Sequence, residues 1–148
     1  MKKIKKVFSI NLLAGLLMIF FASTIKAQEL PVKITGIRSS KGKIIISIFK
    51  DEAAYEEQLP YRKITFDKNS IDNGTMTVKL TLEPGIYGIT LLDDENGNGK
   101  IDKNIISVPK EGFGFSNFFM EKMKKPSFDN FKVDLKTKSN IDIRVKYM

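Results

Sequence analysis

From Leu30 onward, apolar and polar side chains alternate in short runs. Leu30–Ile37 sets Val32 and Ile34 between Lys33 and Thr35, and Met76–Leu82 sets Met76, Val78, Leu80 and Leu82 against Thr77, Lys79 and Thr81. A period of two marks a strand with one face buried and the other in water. Lys43–Lys50 and Ile86–Asp93 are apolar on both faces and read as central strands. Ile64–Phe66, Phe113–Phe119, Phe131–Leu135 and Ile141–Tyr147 add further strands, the last with Ile141, Ile143, Val145 and Tyr147 on one face. Between them lie turn signals. Gly36 and Gly42 flank Arg38–Lys41 as a hairpin connection, Asp72-Asn73-Gly74 joins two strands, and Glu83-Pro84-Gly85 turns tightly into the next. Asp51–Gln58 is the one helix-like stretch, capped by Asp51 and bounded by Pro60. About eight short strands at this spacing make an all-β domain, a two-sheet sandwich or a barrel.

The first 27 residues break this pattern. Lys2, Lys3, Lys5 and Lys6 precede an apolar run from Leu12 to Ala22, and small and polar residues follow as far as Ala27. A basic start, a short apolar centre and an Ala-terminated end are the three parts of a secretory signal peptide. The apolar run is shorter than the roughly 20 residues that span a bilayer. The expectation is cleavage after Ala27, export from the cytoplasm to periplasm, outer surface or medium, and no membrane span in the mature chain. A single domain then occupies residues 28–148. Its strands are shorter than the roughly 9–11 residues of an outer-membrane barrel, and several are apolar on both faces. A soluble antiparallel Greek-key sandwich of seven to eight strands is the better fit.

Cleavage also changes the charge. The full chain carries 25 Lys and Arg against 17 Asp and Glu; losing five lysines and no acid leaves a net charge of +3. That balance argues against a nucleic-acid partner, which requires a concentrated basic face. The chain has no Cys and no His, so Ser-His-Asp and Cys-His catalysis are impossible, as are thiolate and imidazole metal sites. A domain of this size buries about two-thirds of its unfolded surface and needs no disulfides. We expect a non-enzyme.

One segment carries candidate chemistry. In Asp93-Asp94-Glu95-Asn96-Gly97-Asn98-Gly99-Lys100-Ile101-Asp102, with Asp94 as position 1, oxygen ligands fall at 1 (Asp94), 3 (Asn96), 5 (Asn98) and 9 (Asp102). Gly99 at 6 allows a sharp turn, Lys100 at 7 offers its carbonyl, and Ile101 at 8 is expected to tuck inward. Calcium takes six to eight hard oxygens, which such alternation wraps around one ion. Position 12 is Ile105 rather than a bidentate acid, leaving Asp93 or Glu111 as substitutes from the loop's edges. The competing reading is a metal-free polar turn, since Asn96-Gly97 and Asn98-Gly99 are both strong hairpin signals. Beyond the loop, Phe113, Phe115 and Asn117 are candidates for an interaction surface toward an envelope protein or glycan. Phenylalanines at period two also fill cores. Tyr87, close after Pro84-Gly85, has the placement of a tyrosine corner.

Ile34–Gly42, Pro84–Tyr87, Asp93–Asp102, Pro109–Asn117 and Pro126–Phe128, in this order, resemble the DUF2141 family of secreted bacterial proteins. The resemblance implies export and an immunoglobulin- or transthyretin-like β-sandwich, with no assigned reaction. Many members open the acidic motif with His-Asp-Glu-Asn, where this chain has Asp93 before Asp94.

Overall fold

The computed structural model describes residues 26–148 other than 123. The expected signal segment lies almost wholly outside the described residues. Eight strands form two sheets: β1 (Gln28–Thr35), β2 (Lys43–Phe49), β3 (Arg62–Asp67), β4 (Met76–Leu82), β5 (Ile86–Asp94), β6 (Gly112–Phe115), β7 (Lys132–Asp134) and β8 (Ile141–Arg144). Two short helices, α1 (Glu52–Glu56) and α2 (Phe128–Phe131), lie between strands. The smaller sheet has the order β4-β1-β8 and the larger the order β3-β2-β5-β6, with β7 also on β5. β7 and β6 share one edge of β5, pairing with Ile86–Gly88 and Thr90–Asp93 respectively. The all-β two-sheet sandwich is therefore what the alternation implies. One pairing departs from an all-antiparallel plan, because β8 runs parallel to β1.

The hairpin expected at Gly36–Gly42 is absent. β1 and β2 belong to different sheets, and so do β3 and β4. The Gly36–Gly42 and Asp72–Gly74 turns therefore carry the chain across the sandwich. The second turn is tight all the same: Asp72 and Thr75 exchange both backbone hydrogen bonds at 2.9 Å around Asn73 (φ 47°) and Gly74 (φ 73°). The local sequence sets the turn, while burial decides which sheet receives the next strand.

The core lies between the sheets. Leu30, Val32 and Ile34 of β1 meet Ile44, Ile46 and Ile48 of β2 and Ile89 and Leu91 of β5. Because β2 is apolar on its other face too, a second cluster forms outside the larger sheet. There Phe49, Tyr55, Phe113, Phe115, Met120, Phe128 and Phe131 pack together. α1 and α2 cover this face, with Tyr55 edge-on to Phe49 and Phe131 at 5.5 and 4.9 Å between ring centres. Both clusters are built from Leu30 onward, so residues 28–148 hold the whole described core.

β6 explains its Gly-Phe-Gly-Phe sequence. A Cβ on Gly112 would lie 2.4 Å from the Tyr147 ring, and one on Gly114 2.6 Å from Ile143. The glycines admit the C-terminal strand, and the alternating phenylalanines face the opposite way. After β8 the chain leaves the smaller sheet, and Lys146 pairs with Phe113 of the larger. The expected tyrosine corner does not form. Tyr87 packs its ring on Gly85 and has no hydrogen bond from its hydroxyl among the described residues.

Candidate functional site

β5 ends in two adjacent carboxylates that alternation sends to opposite faces. Asp93 lies on the core side, completely buried, and contacts the ammonium of Lys68, which is also buried. Lys68 Nζ donates in addition to the carbonyls of Ser39 (3.1 Å) and Lys41 (2.6 Å). The Tyr147 hydroxyl donates to Asp93 Oδ2 and accepts the Arg38 backbone N–H at 3.1 Å. Burial, reinforced by the bond to Asp93, raises the Tyr147 pKa. Arg38 lies over the Tyr147 ring, 4.2 Å from its centre, and grips Glu95 through both carboxylate oxygens. That grip holds the Glu95 carboxyl below its ordinary pKa of 4.5. Asp93 is thus committed to an internal ion pair and takes no part in the loop.

Asp94 organises the loop instead. Its Oδ1 accepts the N–H groups of Gly97 (2.9 Å) and Asn98 (3.1 Å), and its Oδ2 accepts that of Gly99 (2.8 Å). Gly97 and Gly99 both have φ of 76°, a conformation that costs other L-residues about 1–2 kcal/mol. Asn96 and Asn98 each accept a backbone N–H two residues on, and both amides donate to Asp102 Oδ2, at 2.5 and 3.0 Å. The side chains of Asn96, Asn98 and Asp102 therefore converge within the turn that Asp94 closes. Ile101 departs from expectation: it is 39% exposed rather than tucked inward.

Ile105 plays no part at position 12. It sits fully exposed at the tip of a second small hairpin, where Lys110 N–H donates to the Asp102 carbonyl (2.8 Å) and Asn104 N–H to that of Val108 (2.8 Å). This hairpin returns the chain so that Glu111 meets Asp102, whose backbone N–H donates to Glu111 Oε2 at 3.1 Å. Glu111 is 4% exposed, and its Oε1 is buried with no hydrogen-bond partner among the described residues. A buried carboxylate oxygen without a donor is costly unless a cation or water completes it. Among the described residues no three acidic side chains cluster tightly enough to hold a metal by themselves. A cation here would need the asparagine amides and backbone carbonyls as well as carboxylates.

The family follows from the same segments. A model described as "Uncharacterized protein conserved in bacteria (DUF2141)" matches residues 32–143. The chain belongs to this family. No curated protein and no solved structure matches it. The match runs from β1 to β8 and includes the Asp94–Asp102 loop and its Glu111 hairpin.

The structure separates the remaining candidates. Phe113 and Phe115 are 9% exposed and belong to the outer-face cluster. Asn117 stands apart from them: its Oδ1 accepts the Asp142 backbone N–H at 2.9 Å, which ties the turn after β6 to β8. Sequence reasoning missed Lys68 and Tyr147. A lone lysine after a strand and a tyrosine on an apolar stripe carry no signal until the fold puts them beside Asp93. No described helix is long and apolar enough to cross a membrane.

Proposed function

We propose that this chain is an exported, non-enzymatic β-sandwich binding module whose Asp94–Asp102 loop takes up Ca²⁺ with Glu111 as an additional ligand. The observation that carries the reading is the buried, unpartnered Glu111 Oε1 beside Asp102. Glu111 supplies the carboxylate that Ile105 cannot. Asp94, Asn96, Asn98 and Asp102 are the side-chain donors, and Lys100 contributes its carbonyl. Only three of these side chains, with Glu111 counted, are formally charged, and calcium sites are tuned by charge and rigidity. Affinity belongs at the weak, extracellular end, about 10⁻⁴–10⁻³ M. Export is supported by the tripartite N-terminus and by the start of β1 at Gln28, immediately after the expected cleavage point. Calorimetric titration of residues 28–148 with CaCl₂ tests the metal. One site in the wild type, lost in Asp94→Ala and weakened in Glu111→Gln, is expected; equal binding by wild type and Asp94→Ala removes the assignment.

A second reading also has an observation behind it. The loop closes on itself through Asn96 and Asn98 bonds to Asp102, as a metal-free turn would. The module would then be structural, or would meet an envelope protein or glycan without a cation. Absence of any calcium heat, with Asp102→Asn lowering stability, favours this alternative.

A further inference from the structure

The outer face of the larger sheet is only partly covered. Between the α1 end and the Gly99–Pro109 segment lies a groove of about 810 Å³, within the range of small-molecule sites. Its floor is made by Ile45 of β2, Leu92 of β5 and Phe113 and Phe115 of β6, with the hydroxyls of Ser47 and Thr90 among them. Ile101, displaced from the loop interior, forms part of the wall. The charged side chains on its lining have one sign: Lys63, Lys100, Lys103 and Lys125 border it with no Asp or Glu, while Met148, the last residue, also lies on the lining. Lys125 is paired with Glu56, and Lys63 donates to the Gly99 carbonyl. Lys100 and Lys103 have no side-chain hydrogen bond or ion pair among the described residues.

We propose that this groove binds a free fatty acid, its chain along the Leu92–Phe113–Phe115 floor and its carboxylate at Lys100 and Lys103. The floor presents side chains rather than free backbone groups: β5 lies between β2 and β6 with its ladder bonds made, so an added peptide strand has nothing to pair with there. An unbranched apolar chain needs no such partners. The unopposed lysines at the wall supply the complement to one anionic end and reject a cationic one. Lys100 belongs to the proposed calcium loop through its carbonyl, but neither lysine side chain is a proposed metal ligand, so the test is run without added calcium.

The test is calorimetric titration of residues 28–148 with dodecanoate below its micellar concentration, without added calcium. The comparison ligand is the uncharged methyl ester. Saturable one-to-one binding is expected, at least tenfold weaker for the ester and for Lys100→Glu/Lys103→Glu. Leu92→Lys, which puts a charge on the floor, should abolish binding, with circular dichroism showing the variant folded. If that variant fails to fold, Thr90→Lys repeats the measurement from the same floor. No saturable dodecanoate binding overturns the proposal. So does equal binding of acid and ester, binding retained by the folded floor variant, or an envelope glycan occupying the groove in place of dodecanoate.

Discussion

Replacing Lys68 by Met removes the cation in contact with Asp93 and leaves a completely buried carboxylate whose only side-chain hydrogen bond among the described residues comes from the Tyr147 hydroxyl. Breaking a buried ion pair from one side typically costs about 3–5 kcal/mol, because the surviving charge keeps its desolvation penalty. The Ser39 and Lys41 carbonyls lose their shared donor as well, which pushes the value to the upper half of that range. A domain of 121 residues has an unfolding entropy near 0.25 kcal/mol/K, so each kcal/mol moves the midpoint by about 4 °C. The expected loss is therefore about 16–20 °C. Urea unfolding followed by far-ultraviolet circular dichroism gives the free energy, and a scan gives the midpoint. A double variant, Lys68→Met/Asp93→Asn, removes the stranded charge and should recover a substantial part of the loss. A single variant within 1 kcal/mol of wild type, or a double variant less stable than the single, would refute the buried-pair account.

Three further outcomes follow from the same structure. Gly42→Ala combines a φ of 73° with a Cβ that would sit 1.9 Å from the Asp94 carbonyl oxygen; it should destabilise by more than about 2 kcal/mol in urea unfolding and shift amide signals through Asp94–Gly99. Ser116→Ala strands the Phe131 carbonyl, now 2.6 Å from the hydroxyl, and the Ile89 N–H at 3.1 Å, so a loss of about 2–4 kcal/mol is expected by the same method. The Glu95 carboxyl, depressed by Arg38, contributes stability that is fully present above pH 4.5 and is lost as pH falls through its lower folded value. Glu95→Gln should accordingly flatten the acid limb of a stability–pH profile; an unchanged slope below pH 4.5 would count against the Arg38 bond.

The strands were legible because each buries a face, and Met76, Val78, Leu80 and Leu82 are all buried while Thr77, Lys79 and Thr81 are exposed. Sheet membership was not legible. Asn73-Gly74 makes the same tight turn whether the next strand pairs with the last or crosses the sandwich, and only the global core decides. The acidic loop was readable as a turn centred on Asp94, since side-chain bonds to residues a few positions ahead are local events. Its relation to Glu111 depends on a second hairpin whose tip, Ile105-Ile106, is exposed and follows no strand pattern. Asp93 and Asp94 look alike in sequence. Strand alternation makes one an internal counter-ion and the other the loop's organiser.

The most direct measurement is thermal unfolding of residues 28–148 in EDTA, in 10 mM Mg²⁺ and in 10 mM Ca²⁺, for the wild type and Glu111→Gln. With Kd of about 10⁻⁴–10⁻³ M, 10 mM Ca²⁺ adds about 1.4–2.7 kcal/mol to the folded state, or about 5–11 °C. The account predicts that rise with Ca²⁺ alone and a markedly smaller one in Glu111→Gln. An identical midpoint in EDTA and Ca²⁺, or an equal rise in both proteins, would contradict it.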